Sequence, residues 1–201
     1  LSDSIMTAKV LNIVKKKQPE TWESFFKTAN KSDTETIIKK GEIITLNEYY
    51  YGKSRLHLVA PLHQKYCMHP IYAGWYYAFD LRIDIEPLLN LSINELKVEM
   101  KKSPKFLRTI RSNKAPIIVD AKYGMKAEPY SAMDKSLINK RADIVKNNEK
   151  FSQNILHALR EVAEEKEQSK SQEILYAEES IYSRFTSCLL YTSDAADDSR
   201  S

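Results

Sequence analysis

The sequence has little glycine and little cysteine, and it lacks long apolar runs. With only four glycines in 201 residues, neither GxGxxG nor GxxxxGK[ST] occurs, which excludes the common glycine-rich phosphate loops. Two cysteines cannot build a disulfide framework, so we expect a reducing, cytoplasmic setting. No apolar run reaches the ~18 residues that a membrane span requires, and we therefore expect no membrane partner.

The composition is otherwise that of a globular chain. Hydrophobic residues make up 42% and charged residues 29%, which is enough apolar material to bury a core. The 31 basic and 27 acidic residues give a formal charge of +4, which is compatible with nucleic-acid binding without establishing it. The length predicts one domain or slightly more.

Hydrophobic periodicity predicts helices around a small sheet. Residues 1–17 form a helix that ends in three lysines, and residues 136–166 are helical with a break at Asn147 and Asn148. Ser92 and Glu95 have the spacing of a capping box at a helix start. Over the charged residues 161–173 the last predicted helix fades into a linker. The strand signals lie at 43–46, 56–60, 75–83, 108–111 and 117–119. The predicted class is α+β, with a short-stranded antiparallel barrel at its centre.

Residue types that bind metals occur in two clusters, and each has an ordinary structural explanation. Three histidines are spaced six apart, wider than zinc favours, and loop polarity explains them equally: His57, His63 and His69. Three acids bracket a strand end and could hold a hard cation, although an arginine lies among them and a solvated turn is the alternative: Asp80, Asp84 and Glu86.

The segment YYYGKSRLH, residues 49–57, interleaves aromatic rings with cations around a predicted hairpin. Single-stranded nucleic acids bind such surfaces, because bases stack on rings for about 1–3 kcal/mol each and cations follow the phosphates. An ordinary half-buried hairpin remains the alternative. The candidate DNA-binding residues are Tyr49, Tyr50, Tyr51, Lys53, Arg55 and His57.

Seven short segments along residues 2–185 carry a resemblance to a known family. They are SDSIMTAKVLNIVKKKQP (2–19), VAPL (59–62), HP (69–70), YAFDL (77–81), DIEPLL (84–89), NKAP (113–116) and LY (175–176). In this order and at these spacings the chain resembles bacterial exonuclease I, the exodeoxyribonuclease that digests single-stranded DNA from its 3′ end. That family combines a nuclease domain, an SH3-like barrel domain and a helical domain.

The resemblance implies that the chain is a piece of a longer repair and recombination nuclease. Residues 1–18 then correspond to the last helix of the nuclease domain, 19–166 to the SH3-like domain, and 167–187 to a linker with the start of the helical domain. Residues 188–201, which include CLLYTSDAAD, resemble a translated sequencing adapter and are left out of the fold prediction.

The same resemblance makes Asp3 the last of four acids that hold two Mg²⁺ ions in the parent enzyme. The other three acids and the general-base histidine would precede Leu1, so we expect the fragment itself to be inactive. An acid in the first turn of a helix, favoured by the helix dipole, is the alternative explanation of Asp3.

A second expected partner is the acidic C-terminal tail of single-stranded DNA-binding protein, which the family's SH3-like domain helps to dock. The candidate pocket consists of Lys40 and Lys146 with Val145 as its apolar neighbour. The expected partners are therefore single-stranded DNA and this tail, and the expected state is a monomer. A protein-docking module without a role in DNA grip is the alternative function.

Overall fold

The computed structural model describes residues 2–50 and 52–172, and a five-stranded antiparallel sheet forms its centre. The strands are β1 (Ile44–Tyr50), β2 (Lys53–Pro61), β3 (Trp75–Asp80), β4 (Leu107–Arg111) and β5 (Ile117–Asp120). Their spatial order is β4-β3-β2-β1-β5. The predicted α+β class with a small antiparallel sheet is confirmed.

The described helices lie before, between and after the strands. They are α1 (Ser2–Lys17), α2 (Pro19–Lys27), α3 (Lys31–Lys39), α4 (Ile93–Glu99), α5 (Ala121–Gly124), α6 (Lys135–Asn147) and α7 (Glu149–Gln172). The predicted capping box is present at the start of α4, where Glu95 N–H donates to Ser92 Oγ and Glu95 accepts in return from the Ser92 backbone. None of these helices is long and apolar enough to span a membrane.

The segment 161–173, predicted as a linker without regular structure, is helical up to residue 172, because α7 continues through Gln172. Contacts divide the chain into one compact unit of Leu1–Ala163 and a second unit from Glu164 onward. The predicted start of a helical domain at 173–187 and the predicted adapter tail at 188–201 lie outside the described residues.

Strand register assigns alternate residues to two faces of the sheet. Glu48 and Tyr50 of β1 share one face with Arg55 and His57 of β2, because Glu48 pairs with Arg55 and Leu46 with His57. We call this the inner face; the residues in register with it on the other strands include Asp80, Arg108 and Ile118. The opposite, outer face contacts α7 through Phe79 and Phe151, and buried apolar side chains of both faces form the core.

The outer-face core is apolar and well buried. Phe79 contacts Phe106 and Phe151, with ring centroids 5.9 and 6.2 Å apart. The side chains of Ile138 and Ile155 on the covering helices have no exposed surface. At about 25 cal/mol per Å² of buried apolar area, the side chains buried on both faces of the sheet supply the main drive for folding.

The sheet is strongly curved, as a contact between two distant strands shows. β4 and β1 are three strand spacings apart, or about 14 Å if the sheet were flat. Arg108 of β4 nevertheless donates from Nη1 to Glu48 Oε2 of β1 at 3.1 Å. The inner face is therefore concave, and β4 and β5 remain its two unpaired edges among the described strands.

The inner face contains a buried carboxylate, Asp80, whose side chain has no exposed surface. Two bonds from Arg108, at 3.0 and 3.2 Å, reach Oδ2, and Tyr130 donates its hydroxyl to Oδ1 at 2.6 Å. His57 Nδ1 and Arg82 Nε lie 3.3 and 3.2 Å from Oδ2. We call the connected set the Asp80 network: Glu48, His57, Asp80, Arg82, Arg108 and Tyr130.

The network keeps Asp80 ionised despite its burial. Burial alone would raise the pKa of Asp80, but the hydrogen bonds from His57 and Tyr130 and the charges of Arg82 and Arg108 together hold that pKa below its usual value. Burial, followed by the adjacent charge of Asp80, raises the pKa of Tyr130, so Tyr130 stays protonated and donates.

We expect Asp80→Asn to destabilise the chain by about 3–5 kcal/mol, because a buried ion pair that loses one partner leaves charges uncompensated. The measurement is urea unfolding at neutral pH. Asp143→Asn is the matched control, since Asp143 is exposed, and it should change the free energy of unfolding by less than about 0.5 kcal/mol. Equal effects of the two substitutions would contradict the structural role of the network.

The difference in the free energy of unfolding between the wild type and Asp80→Asn should also depend on pH. Because folding lowers the pKa of Asp80 from 3.8, its stabilising contribution is complete above that value and disappears as the pH falls through the lower, folded-state pKa. Urea midpoints measured from pH 7 into the acid range should therefore converge for the two proteins. A constant difference at every pH would show that the substitution acts through packing alone.

Candidate nucleic-acid interface

The predicted hairpin is present, and it divides its aromatic rings between the two faces of the sheet. Tyr50 pairs with Lys53 at the end of the hairpin and lies on the inner face, whereas Tyr49 pairs with Ser54 on the outer face. Both rings are exposed, Tyr49 at 73% and Tyr50 at 53%. Tyr51 lies outside the described residues. A strand bound along one face can therefore stack on Tyr49 or on Tyr50, but not on both.

His57 belongs to the buried Asp80 network, so its predicted role as a surface contact with DNA needs correction. The residue is only 5% exposed, and its ring lies between two carboxylates, with Nε2 3.4 Å from Glu48 Oε2. Burial and these neighbours make His57 a wall of the interface rather than a mobile donor. Lys53 and Arg55, in contrast, are exposed and lie on the inner face, so both remain candidate DNA contacts.

A groove of about 490 Å³ lies between β1, β4 and β5, and side chains of both sheet faces line it, among them Arg108 of the inner face and Arg111 of the outer face; we call it the main groove. Tyr50 and Glu48 line it from β1, and three cations not predicted from the sequence line the opposite wall: Lys105, Arg111 and Lys114. These cations follow no local pattern, since the fold brings together residues that lie 55 to 64 positions after Tyr50 in the sequence. Of the three cations, only Lys114 lies in a segment that the sequence analysis used, NKAP, and that segment contributed to the family resemblance without indicating a binding role.

The charges of the main groove are of two kinds. Arg108 at its base is 12% exposed and donates to both Asp80 and Glu48, so its charge is already balanced. Lys105 and Lys114 are exposed, and within residues 2–50 and 52–172 neither one pairs with a carboxylate. Arg111 lies 4.2 Å above the ring of Trp75, a cation–π contact that leaves its charge available. The surface is therefore positive around Tyr50.

The other two histidines of the spaced set are turn residues. His63 Nδ1 accepts from Lys65 N–H at 3.4 Å, and His69 Nδ1 accepts from two backbone amides at 3.0 Å each. Burial lowers the pKa of His69, which keeps that ring neutral and able to accept. Loop polarity, the structural alternative, is therefore the correct explanation of these two residues.

The acid cluster at the end of β3 is likewise explained by ion pairs. Asp80 is enclosed by its network, Glu86 bonds Lys140 at 2.8 Å, and Asp84 lies 3.8 Å from Arg141. No group of three or more histidine, cysteine, aspartate or glutamate side chains in the described part of the chain has metal-site geometry. The hard-cation hypothesis for this turn is therefore not supported.

Asp3 lies in the first turn of α1 and is exposed. Since the described residues bring no second ligand group to it, this side chain does not fit a complete two-ion site. The apolar residues of α1 are exposed as well, among them Met6 at 56% and Val10 at 54%. The helix therefore presents one acid and an uncovered apolar surface.

The predicted peptide pocket is only partly formed by its three residues. The aliphatic stem of Lys146 crosses Gly41, the residue after Lys40, so closely that a Cβ at Gly41 would lie 3.4 Å from Lys146 Cε. The two lysines are thus neighbours and exposed. Val145 has no exposed surface and belongs to the core, so it cannot line a surface pocket.

No protein-family model matches the chain, and no curated protein matches it. Solved structures do match. The metal-free complex of Escherichia coli exonuclease I with single-stranded DNA superposes with a TM-score of 0.60 at 19% identity, over 80% of this chain and 37% of that chain. Exonuclease I of Methylocaldum szegediense superposes with a TM-score of 0.59 at 20% identity, over 75% of this chain and 34% of that chain. An exonuclease I–SSB-Ct complex superposes with a TM-score of 0.64 at 17% identity, over 91% of this chain and 39% of that chain.

The chain spans between 34% and 39% of the length of these three structures, while most of its own residues are covered. The resemblance stated from the sequence segments and the independent likeness of the folds agree on one family. The chain therefore has the fold of that part of exonuclease I which it covers.

Proposed function

We propose that the chain supplies part of the single-stranded DNA grip of a 3′→5′ exodeoxyribonuclease. The observation that carries this proposal is the exposed ring of Tyr50, which lies on a concave face among cations without carboxylate partners. Support comes from the likeness to exonuclease I structures, one of which is a complex with single-stranded DNA. In this proposal catalysis, with its Mg²⁺ ions, belongs to the longer parent protein, to which Asp3 contributes one ligand.

The chemistry of the inner face suits a single strand better than a duplex. A base can lie flat on Tyr50 only when it is not stacked within a helix, and the lysines around the ring can then follow the flexible backbone. Such binding depends strongly on salt, because each neutralised phosphate releases counterions. The Asp80 network beneath the surface keeps the strands that carry these groups in register.

We expect Tyr50→Ala to weaken binding of a fluorescein-labelled oligo-dT by roughly 5- to 100-fold, since stacking is worth about 1–3 kcal/mol per base. Fluorescence anisotropy at about 20 mM salt measures the affinity. Tyr49→Ala is a matched control, because it removes another exposed ring from the same hairpin on the opposite face. Greater loss in Tyr49→Ala would place the strand on the outer face, and no binding by the wild type would refute the grip.

We expect Lys114→Gln to weaken the same complex and to reduce the slope of log K against log salt by about 0.7, the contribution of one single-strand phosphate contact. Anisotropy titrations between about 20 and 200 mM salt give the slope. Lys135→Gln, at an exposed lysine on α6, should leave the slope unchanged. Identical slopes in both variants would mean that the main groove does not contact the backbone.

The second candidate function is docking of an acidic peptide at Lys40 and Lys146. The proximity of these two exposed lysines supports it, and one structural neighbour is a complex with SSB-Ct. A terminal carboxylate and acidic side chains would pair with the two ammonium groups. Because Val145 is buried, the apolar contact of such a peptide must come from other residues.

We expect Lys146→Glu to abolish measurable binding of an acidic tail peptide, because the substitution replaces attraction by repulsion. Isothermal titration calorimetry with the peptide measures this. Lys150→Glu, an exposed charge reversal in the next helix, is the control and should retain binding. Unchanged affinity in Lys146→Glu would remove this surface from consideration.

A further inference from the structure

Beside the main groove, the inner face has a second depression of about 480 Å³. Four of its eight lining residues are arginine or lysine, one is histidine, and none is acidic. The lining residues are Tyr50, Arg55, His57, Arg82, Ser103, Pro104, Lys105 and Arg108. We call it the basic depression. Such a concentration of positive charge in a concave surface attracts anions.

The four cations of the basic depression are not equivalent. Arg108 bonds Asp80 and Glu48, and its charge is balanced within the network. Arg82 lies with Nε 3.2 Å from Asp80 Oδ2 but forms no hydrogen bond through that atom, and its side chain is 25% exposed. Arg55 and Lys105 are exposed, and no described carboxylate pairs with either. The charges of Arg55 and Lys105 are therefore available to a ligand, and Arg82 can add N–H donors beside its contact with Asp80.

The wall of the basic depression contains an unsatisfied polar atom. His57 is 5% exposed, and its Nε2 forms no hydrogen bond, although Glu48 Oε2 is 3.4 Å away. Buried polar atoms without a partner are uncommon in folded proteins and often mark a site for a ligand or ion. The ring is fixed from its other side, where Nδ1 lies 3.3 Å from Asp80 Oδ2.

A neighbouring depression of similar size shares Arg55, His57 and Arg82 with the basic depression, but it also contains Glu128. The Glu128 carboxylate bonds Ser131 at 2.6 Å and adds a negative charge to that side. An anion is therefore favoured on the side of Lys105, where the hydroxyl of Ser103 is also present.

We propose that the basic depression binds a phosphate group, with Arg55, Arg82 and Lys105 as its donors. Guanidinium groups present paired N–H donors to phosphate oxygens, and a lysine adds a point charge. Donors from three separate segments suit a tetrahedral anion, and Tyr50 provides an adjacent flat surface for a base. The phosphate is either a terminal monoester or a diester within a strand. The proposal does not require that a longer strand bind in the main groove.

The test is titration of the chain with inorganic phosphate at constant ionic strength, followed by NMR of backbone amides and of the His57 ring. We expect saturable shifts at Arg55, His57, Arg82 and Lys105 that sodium chloride at the same ionic strength does not reproduce. Lys105→Gln and Arg55→Gln should each raise the dissociation constant by about tenfold, the value of one charge-assisted hydrogen bond. Lys135→Gln should leave it unchanged.

Arg82→Gln is less suitable alone, because Arg82 also faces the buried Asp80 and its loss can destabilise the fold. The urea midpoint of the Arg82→Gln protein must therefore be measured together with its affinity for phosphate. Shifts that chloride reproduces, or that persist in both Lys105→Gln and Arg55→Gln, would overturn the proposal. Thymidine dinucleotides with and without a terminal phosphate then separate the two sources, since only a diester site binds both. Phosphate binding without oligo-dT binding would refute the proposed grip and leave this site standing; the reverse result would refute this site alone.

Discussion

The structure depends on one ionised carboxylate, that of Asp80, which is buried away from solvent. Asp80 has no exposed surface, and an unpaired charge in such a place would cost several kcal/mol. The cost is offset by donors from different parts of the chain: Arg108 from β4, Tyr130 from a later turn, and His57 from β2. Since Arg108 must also reach Glu48 on β1, the same ion pairs require the sheet to curve.

The curvature in turn decides which charges a ligand can use. At the base of the inner face, the carboxylates of Asp80 and Glu48 balance the guanidinium groups of Arg82 and Arg108, so this layer stabilises the fold and adds little net charge. At the rim, Arg55 and Lys105 have no such partners among the described residues. Arg55 and Lys105 can therefore bind a ligand without a part in the network, whereas Arg82 belongs to both. A rim lysine can be substituted without uncovering a buried acid.

Local features of the fold were predictable from the sequence, whereas the network was not. The capping box at Ser92 and the hairpin of β1 and β2 depend on residues a few positions apart, so their patterns are visible in the chain. Arg108 lies 28 residues from Asp80 and 60 from Glu48, and no spacing rule connects them. His57 was misplaced for the same reason: its partners, not its neighbours in sequence, bury it.

The error over residues 161–172 has a different cause. That segment lacks apolar spacing, which indicated a linker, but apart from Val162 it is composed of Glu, Lys, Gln, Ala and Ser, without Gly or Pro. Most of these residues are strong helix formers, so a helix already started at Glu149 can continue without an apolar face. Where the side chains are exposed rather than packed in the core, the intrinsic helix propensity of these residues therefore determined the structure.

The division of the tyrosines between two faces also limits what this surface can do alone. The three consecutive rings suggested several stacked bases, but the period of a β-strand allows Tyr49 and Tyr50 no common face. One ring on the inner face supplies at most about 3 kcal/mol, which corresponds to weak binding. Most of the attraction must then come from cations, whose effect spreads along a strand and decreases with salt. In the proposed grip, such a surface would guide a single strand and let it slide, whereas firm retention would need stacking or base contacts from more protein than the described residues contain.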